Sequence, residues 1–484
     1  MAAETPITRS LAFSSRCDAG DIQSSEADVT YAERLAEFVD RASFDALSQA
    51  ARTQLKIRVL DSLGCAIGAI GSDAVQLVRK QVEEFDGKGS CTLIGVGRAA
   101  PDRAAFYNGA LVRHLDFNDS YLAKGETCHP SDNLAPVLAA TEYANGTGRD
   151  FLTALAVAYQ VQCRLSDVAP VRAAGFDHVT QGSYAVAAGV SKALGLNPTQ
   201  TANAIGISGT AFNALRVTRT GKPSHWIGLA YPNTSAGCTF VTFLALRGVT
   251  GPLEVFEGEK GFMDAIAGVF QIDWFLEDLE RVTATILKKY NAEVHSQTAI
   301  ECALQLRAQE KFDPMEIEHM EVETFDVAYH IIGGGDEGDR TVVSTREEAD
   351  QSLPYLISVA LLDGQVMHEQ YTTERINRRD VQGLLSKVAI HPIQDFSDCF
   401  PNEMPCRLTV ALRGGRVLSK ETRDYPGFAT QPVSWEMAFE KFARIAGPFT
   451  TTSLRRSIAE AVKNLELIRV RDLTQLLHNI ETPI

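Results

Sequence analysis

No Cys-X-X-Cys pair occurs in this 484-residue chain. Its nine cysteines stand singly between Cys17 and Cys406, so neither a paired-cysteine zinc site nor the closely spaced thiolates of an iron–sulfur cluster are offered. The odd number and wide scatter suit reduced thiols in the cytosol. No window reaches the about eighteen consecutive apolar residues of a membrane span; the stretch Phe151–Tyr159 is broken by Thr153. Positive charge is also short. With 46 Lys and Arg against 61 Asp and Glu the formal net charge is −15, which argues against nucleic acid or an anionic membrane as partner. The first thirty residues lack the apolar core of a secretory signal, and Glu4, Asp18 and Asp21 argue against a mitochondrial presequence despite Arg9 and Arg16. Residues 1–29 are expected to form a flexible tail. The expected compartment is the cytoplasm, with the mitochondrion as the alternative in a eukaryote.

A 45% hydrophobic chain of this length suits two cores. From 30 to 285 the pattern is helical: Leu55, Val59 and Leu63 recur at one face, as do Leu152, Leu155 and Tyr159. The small-residue runs Ser183–Leu194 and Ala202–Ala211 predict helices with closely packed backbones, separated by a stop and restart at Asn197-Pro198-Thr199, with Thr199 as an available N-cap. Over 286–428 the character changes. Met320, Val322 and Thr324 alternate with polar neighbours, Cys406 to Leu412 alternate likewise before Gly414-Gly415 and Val417, and Val388–Ile390 adds a third strand signal. Helical stretches near His295–Gln309 and Ser352–Leu362 lie among them. Residues 429–484 return to helical periodicity and are expected to rejoin the first unit. The fold class read here is mainly α, a large all-helical domain with a smaller inserted α+β lid domain.

Three segments carry chemistry. In His114–Ser120, Asp116 and Ser120 are four apart and would share a face on a helical turn. His129 precedes Pro130, which biases it toward extended backbone, and Ser131 or Asp132 is placed to cap a helix from Leu134, beside whose N-terminus an anion is favoured. The second segment is Gly175-Phe176-Asp177-His178. The third gathers Arg216, Arg219 and Lys222 on a Gly/Pro turn, joined by Lys288 or Lys289; in an acidic chain a cationic loop suits a polycarboxylate. The competing reading of each is ordinary: caps, ion pairs, a loop histidine, solvated cations. Gly333-Gly334-Gly335 has no following Lys-Ser/Thr and reads as a turn near the pocket rather than a nucleotide loop.

HLDFNDSYLAKGETCHPSDN at 114–133, GFDHV at 175–179, RVTRTGKPSHW at 216–226, LKKYNAEVHSQTAIE at 287–301 and IIGGGDEGDRTVVSTREEADQSLPY at 331–355 together resemble the MmgE/PrpD family, over about Tyr31 to Leu465. The resemblance implies a helical domain built from both ends of the chain, an α+β lid, a homodimer, and a pocket at the domain junction working without a metal or other cofactor. Carried across by motif, it implies Asp116, His129, His178, Lys222 and Lys288 as catalytic residues. It also implies Ser120, where family members often have Thr, with Arg219 and Tyr329 as substrate-binding residues; Tyr329 is an approximate placement. The wording LDFND, HPSDN and NAEVHSQ looks closer to the 2-methylcitrate dehydratase branch than to the cis-aconitate decarboxylases. A hydro-lyase of that kind would serve the 2-methylcitrate cycle of propionate catabolism.

On that reading Lys222, Lys288 and Arg219 clamp the carboxylates of a small tricarboxylate, His129 or Asp116 takes the proton, and His178 protonates the leaving hydroxyl. Decarboxylation of cis-aconitate, or isomerisation or epimerisation of another polycarboxylate, would use the same groups. A non-catalytic binding or dimerisation scaffold is the rival from another class, and it would not require two histidines, a hydroxyl–carboxylate pair and paired cations in separated motifs.

Overall fold

A computed structural model describes residues 29–85 and 89–480; the expected tail at 1–29 lies outside them but for Val29. The fold is mainly α, as the periodicity predicts. Helix Gln49–Gly68 starts where the Ser48 hydroxyl accepts from Ala51 N, and it buries Leu55, Val59 and Leu63. Helix Gly148–Val168 opens on a reciprocal Thr147–Asp150 capping box and buries Leu152, Leu155 and Tyr159. The helix expected after the Asn-Pro-Thr restart is capped by Asn197 rather than Thr199. Asn197 Oδ1 accepts from Gln200 N at 2.9 Å, and Pro198 takes the first helical position, where a missing N–H costs nothing.

The small-residue helices Val179–Leu194 and Pro198–Ala211 do bring backbones together. A Cβ on Gly189 would lie 2.9 Å from Ala158 Cβ and 3.2 Å from Ala154 O, and one on Gly209 would lie 2.3 Å from the Tyr184 ring. One hydrophobic cluster runs from Ala32 to Leu287 and takes in Met367 and residues from Ala438 to Ile480. Helix Trp435–Ala446 lies so close to Gln49–Gly68 that a Cβ on Gly64 would come within 3.2 Å of Phe442.

A second cluster, from Tyr290 to Leu418, is built on a four-stranded sheet in the order Val388–Pro392, Ile317–Thr324, Cys406–Leu412, Val417–Thr422. Met320, Val322 and Thr324 are buried on one strand and Cys406, Leu408, Val410 and Leu412 on another, the expected period of two. Gly414 and Gly415, at φ 90° and 85°, turn the hairpin that Leu412 N closes onto Arg416 O at 2.9 Å. Helices Gln297–Glu310 and Leu353–Asp363 fall where helical stretches were read. Strands Ile317–Thr324 and Val388–Pro392 are parallel, Met320 opposite Val388, and parallel neighbours need a long crossover. The segment between them supplies it, with helices Asp326–Ile332, Arg346–Asp350, Leu353–Asp363, Thr373–Ile376 and Arg379–Leu385, and it carries Ile331, Glu337, Asp350 and Gln351 to the site described next. Among the described residues no helix is long and apolar enough to cross a membrane.

Candidate active site

Helix Pro101–His114 ends just before Asp116, which takes a left-handed φ of 49°. Asp116 and Ser120 therefore do not share a helical face. The chain turns out of the helix and runs extended, Ser120 and Ile286 exchanging backbone hydrogen bonds of 2.9 and 2.8 Å. That bridge brings Lys288 to Asp116. Lys288 Nζ, 1% exposed, donates to Asp116 O at 2.6 Å and Oδ1 at 2.7 Å, while Arg113 Nη1 reaches Oδ1 at 2.6 Å. Burial acts to raise the Asp116 pKa, but Arg113, Lys288 and His129 outweigh it and hold the carboxyl well below the usual range. Lys441, on helix Trp435–Ala446, fixes both strands of this junction by donating to Phe117 O at 2.7 Å and Lys288 O at 2.9 Å.

His129 stands before a single 3₁₀ turn, Pro130–Asn133, and helix Leu134–Tyr143 follows with no side-chain cap. Ser131 and Asp132 do not cap it, because they hold the neighbouring loop instead. Ser131 N donates to Asp119 Oδ1 at 3.0 Å, and Asn118 Nδ2 donates to Ser131 Oγ and Asp132 Oδ1, both at 2.9 Å. His129 Nδ1 lies 2.8 Å from Asp119 O and 3.0 Å from Ser120 Oγ. A carbonyl oxygen only accepts, so Nδ1 carries the proton and Nε2 keeps its lone pair. Burial first, then Arg113 and Lys288, push this imidazole well below its ordinary range, so the ring is neutral and basic at Nε2.

His178 sits at the N-cap position of Val179–Leu194 without capping it, buried, its ring 5.3 Å from that of His129 and at 72° to it. The loop 214–219 pairs with 175–177, Asp177 N donating to Ala214 O and Arg216 N to Gly175 O, both at 2.9 Å. Arg219 then meets Asp177 Oδ2 at 2.5 Å and His178 Nε2 at 3.0 Å. Arginine only donates, so His178 Nε2 accepts and its proton lies on Nδ1, which has no partner among the described residues. Burial, then the nearby arginines against Asp177, bring His178 down to about 3. A neutral ring of this kind offers a hydrogen bond rather than a releasable proton.

A cavity of about 30 Å³ lies between these groups, lined by Arg113, Asp116, Thr127, His129, Arg172, His178, Arg216, Arg219, Glu293, His295, Ile331, Glu337 and Gln351. That is room for about one water, so a tricarboxylate needs the two sets of walls to part. The structure brings together Asp116, Ser120, His129, His178, Arg219 and Lys288. It does not bring Lys222, which is 75% exposed with Nζ 3.6 Å from Glu348 Oε1. Tyr329 is half-buried with its ring against His330, on the helix whose Ile331 lines the cavity.

Several participants escaped sequence reading. Arg113 gave no motif signal. Glu337, beyond the glycine run, pairs with Arg216 at 2.5 Å, and the NAEVHSQ motif holds a Glu293–His295 pair at 2.7 Å whose Nε2 is 3.3 Å from Thr127 Oγ1. Each cation here already faces a carboxylate, so a substrate enters a compensated site and must share those partners. Chemically, the arrangement can hold a carboxylate, polarise an adjacent C–H, and accept its proton on a neutral imidazole.

The model of the MmgE/PrpD N-terminal domain matches residues 33–274, and that of the MmgE/PrpD C-terminal domain matches 290–467. The chain is 26% identical to a cis-aconitate decarboxylase of Mus musculus over 85% of this chain and 86% of that protein. It is 27% identical to a 2-methylcitrate dehydratase of Cupriavidus necator, over 76% and 80% respectively. With a mitochondrial 2-methylcitrate dehydratase of Yarrowia lipolytica the identity is 25%, over 91% and 89%.

Proposed function

The chain belongs to the MmgE/PrpD family, and from that premise we propose that this lyase is a 2-methylcitrate dehydratase, eliminating water to give 2-methyl-cis-aconitate without a metal or iron–sulfur cofactor. The observation that carries the proposal is the neutral His129, its proton committed to Asp119 O, beside a buried Lys288–Asp116–Arg113 cluster and Arg219. Arg219 and Arg216 receive substrate carboxylates, and their positive field stabilises the enolate-like charge that develops when the adjacent C–H is broken. His129 Nε2 takes that proton; Asp116, ionised and locked by two cations, orients the cluster instead of serving as base. Ser120 supports the imidazole, and His178 gives a hydrogen bond from Nδ1. Lys222 joins the clamp when its loop closes on substrate, and Tyr329 meets substrate from the facing helix.

The α+β unit, 286–428, acts as the lid over a helical body formed by 30–285 and 429–484. Leu215, Val217, Trp226 and Phe240, all strongly exposed, favour a homodimer through the helical body next to the arginine loop. Citrate is expected as a poorer substrate, since a methyl is worth only about 1–3 kcal/mol in a pocket. A second reading, decarboxylation of cis-aconitate, is favoured by the extensive match to the mouse decarboxylase; the same pocket would then return a proton after carbon dioxide departs.

EDTA-treated protein incubated separately with 2-methylcitrate and cis-aconitate separates these. Conjugated acid from 2-methylcitrate without carbon dioxide supports dehydration. Carbon dioxide and itaconate from cis-aconitate replace it with the second reading, and silence on both removes the substrate class.

A further inference from the structure

Dehydration needs a proton for the departing hydroxyl, and His129 and His178 are neutral rings. One buried carboxyl outside that set is placed to supply it. Asp350 ends the helix Arg346–Asp350, started by a Thr345–Glu348 capping box, and is 7% exposed. It lines a small cavity that shares Arg113, Asp116, Arg219 and Gln351 with the cavity of His129 and His178. Its Oδ2 accepts from Gln351 Nε2 at 3.1 Å. Its Oδ1 is buried with no hydrogen-bond partner among the described residues, and Asp116 lines the same cavity.

Two carboxyls buried against one small cavity do not both stay ionised unless each is paired with a cation. Arg113 at 2.6 Å and Lys288 at 2.7 Å keep Asp116 anionic, so the proton belongs to Asp350. The groups facing Asp350 are Asp116, Lys288, Arg346, Arg113 and Tyr371. Burial, followed by the charge of Asp116, pushes the Asp350 carboxyl well above the usual carboxylate range.

We propose that Asp350 is a catalytic residue, the acid that protonates the departing hydroxyl. The assignment rests on the dehydration proposed above. His129 Nε2 takes the proton from carbon, and the C–H electron pair becomes the second bond of the new C=C. The C–O bond breaks with its pair on oxygen, and the Asp350 proton completes the water. Asp350 is left as carboxylate and His129 as imidazolium; one proton passing between them through solvent after product release resets both.

The test is Asp350→Asn, which keeps the shape but cannot release a proton, with 2-methylcitrate deuterated at the carbon that is deprotonated. The expected result is a loss of ~10²–10⁴-fold in kcat with little change in KM, while deuterium still washes out into water because His129 remains. Independently, the infrared difference between carbon-13 aspartate-labelled wild type and variant at neutral pH should show a carboxylic-acid carbonyl band over and above that of Asp132, which both proteins share. Elimination within the same order of magnitude as wild type, or a band unchanged in Asp350→Asn, would overturn the proposal. Should that variant not fold, Asp116→Asn removes the neighbouring charge and must shift the band; an unmoved band overturns it equally. If wild-type protein acts on neither acid, the dehydratase reading falls, and the infrared comparison still decides whether Asp350 holds the proton.

Discussion

Lys288 binds Asp116 twice, donating to its backbone oxygen at 2.6 Å and to its Oδ1 at 2.7 Å. The first contact fixes the turn in which Asp116 has a positive φ, and the second neutralises a carboxylate already shared with Arg113. Lys288→Met removes the ammonium and leaves that carboxylate buried with half its compensation. Removing one member of a buried pair typically costs about 3–5 kcal/mol, so Tm should fall sharply and turnover by at least ~10²-fold. Lys289→Ala is the control. Its ion pair with Glu301 is 38% exposed on the lysine side, and such pairs contribute about 0–1 kcal/mol. Equal losses from the two variants, read by thermal unfolding and turnover, would contradict the role given to Lys288.

The depressed histidines set the acid limb of the pH profile. A base whose constant lies well below the usual imidazole value stays unprotonated through neutral and mildly acidic pH, and activity fails only as pH drops through that depressed value. The acid limb of kcat/KM should therefore lie below the ordinary histidine value. His129→Gln should lower kcat by ~10²–10⁴-fold and abolish deuterium washout together with elimination. An acid limb at the ordinary histidine value would mean that the imidazole is solvated when it works.

Arg219 and Lys222 lie three residues apart on one loop and are expected to behave differently. Arg219 is buried and bonded to Asp177 and His178. Arg219→Lys loses the planar fork and should cost ~10²–10³-fold in turnover. Lys222 touches only the outer carboxylate of Glu348, at 3.6 Å. Lys222→Ala should leave Tm unchanged and raise KM about ten-fold, the equivalent of ~1.4 kcal/mol, if the loop closes its ammonium onto substrate. An unaltered KM would remove Lys222 from the clamp.

The helical body and the sheet were legible because their signals are local: period-four apolar faces, Asn-Pro at a restart, alternation on Cys406–Leu412, a Gly-Gly turn. Asp116, His129 and His178, singled out in the sequence, do line one cavity, yet their surroundings were not legible. Reading Asp116 and Ser120 as one helical face failed because Lys288, 172 residues away, stabilises a left-handed turn that propensity does not foresee. Ser131 and Asp132 look like caps in sequence, but their partners are Asp119 and Asn118, across a loop. Arg113 reads as an ordinary helix arginine until the left-handed turn after the helix places Asp116 and Asn118 on its guanidinium.

Asp132 offers a test in stability instead of rate. Its Oδ1 accepts from Asn118, its Oδ2 is buried without a partner, and Arg113 Nε is 4.0 Å away. Burial raises this carboxyl to about 7, more than Arg113 lowers it. A folded-state value above the unfolded one favours the protonated form, so its stabilising contribution is full below the unfolded value and is lost as pH rises through about 7. Asp132→Asn keeps the acceptor for Asn118 and cannot ionise. Relative to wild type it should be close to neutral near pH 4 and stabilising above about pH 7, by at most ~4 kcal/mol from a shift of that size. Any repulsion between the new amide and Arg113 is constant across pH, so the quantity to read is how the difference in Tm changes between the two conditions. A difference that stays flat would mean Arg113 holds Asp132 ionised throughout, and the Asn118 contact would then be charge-assisted instead of neutral.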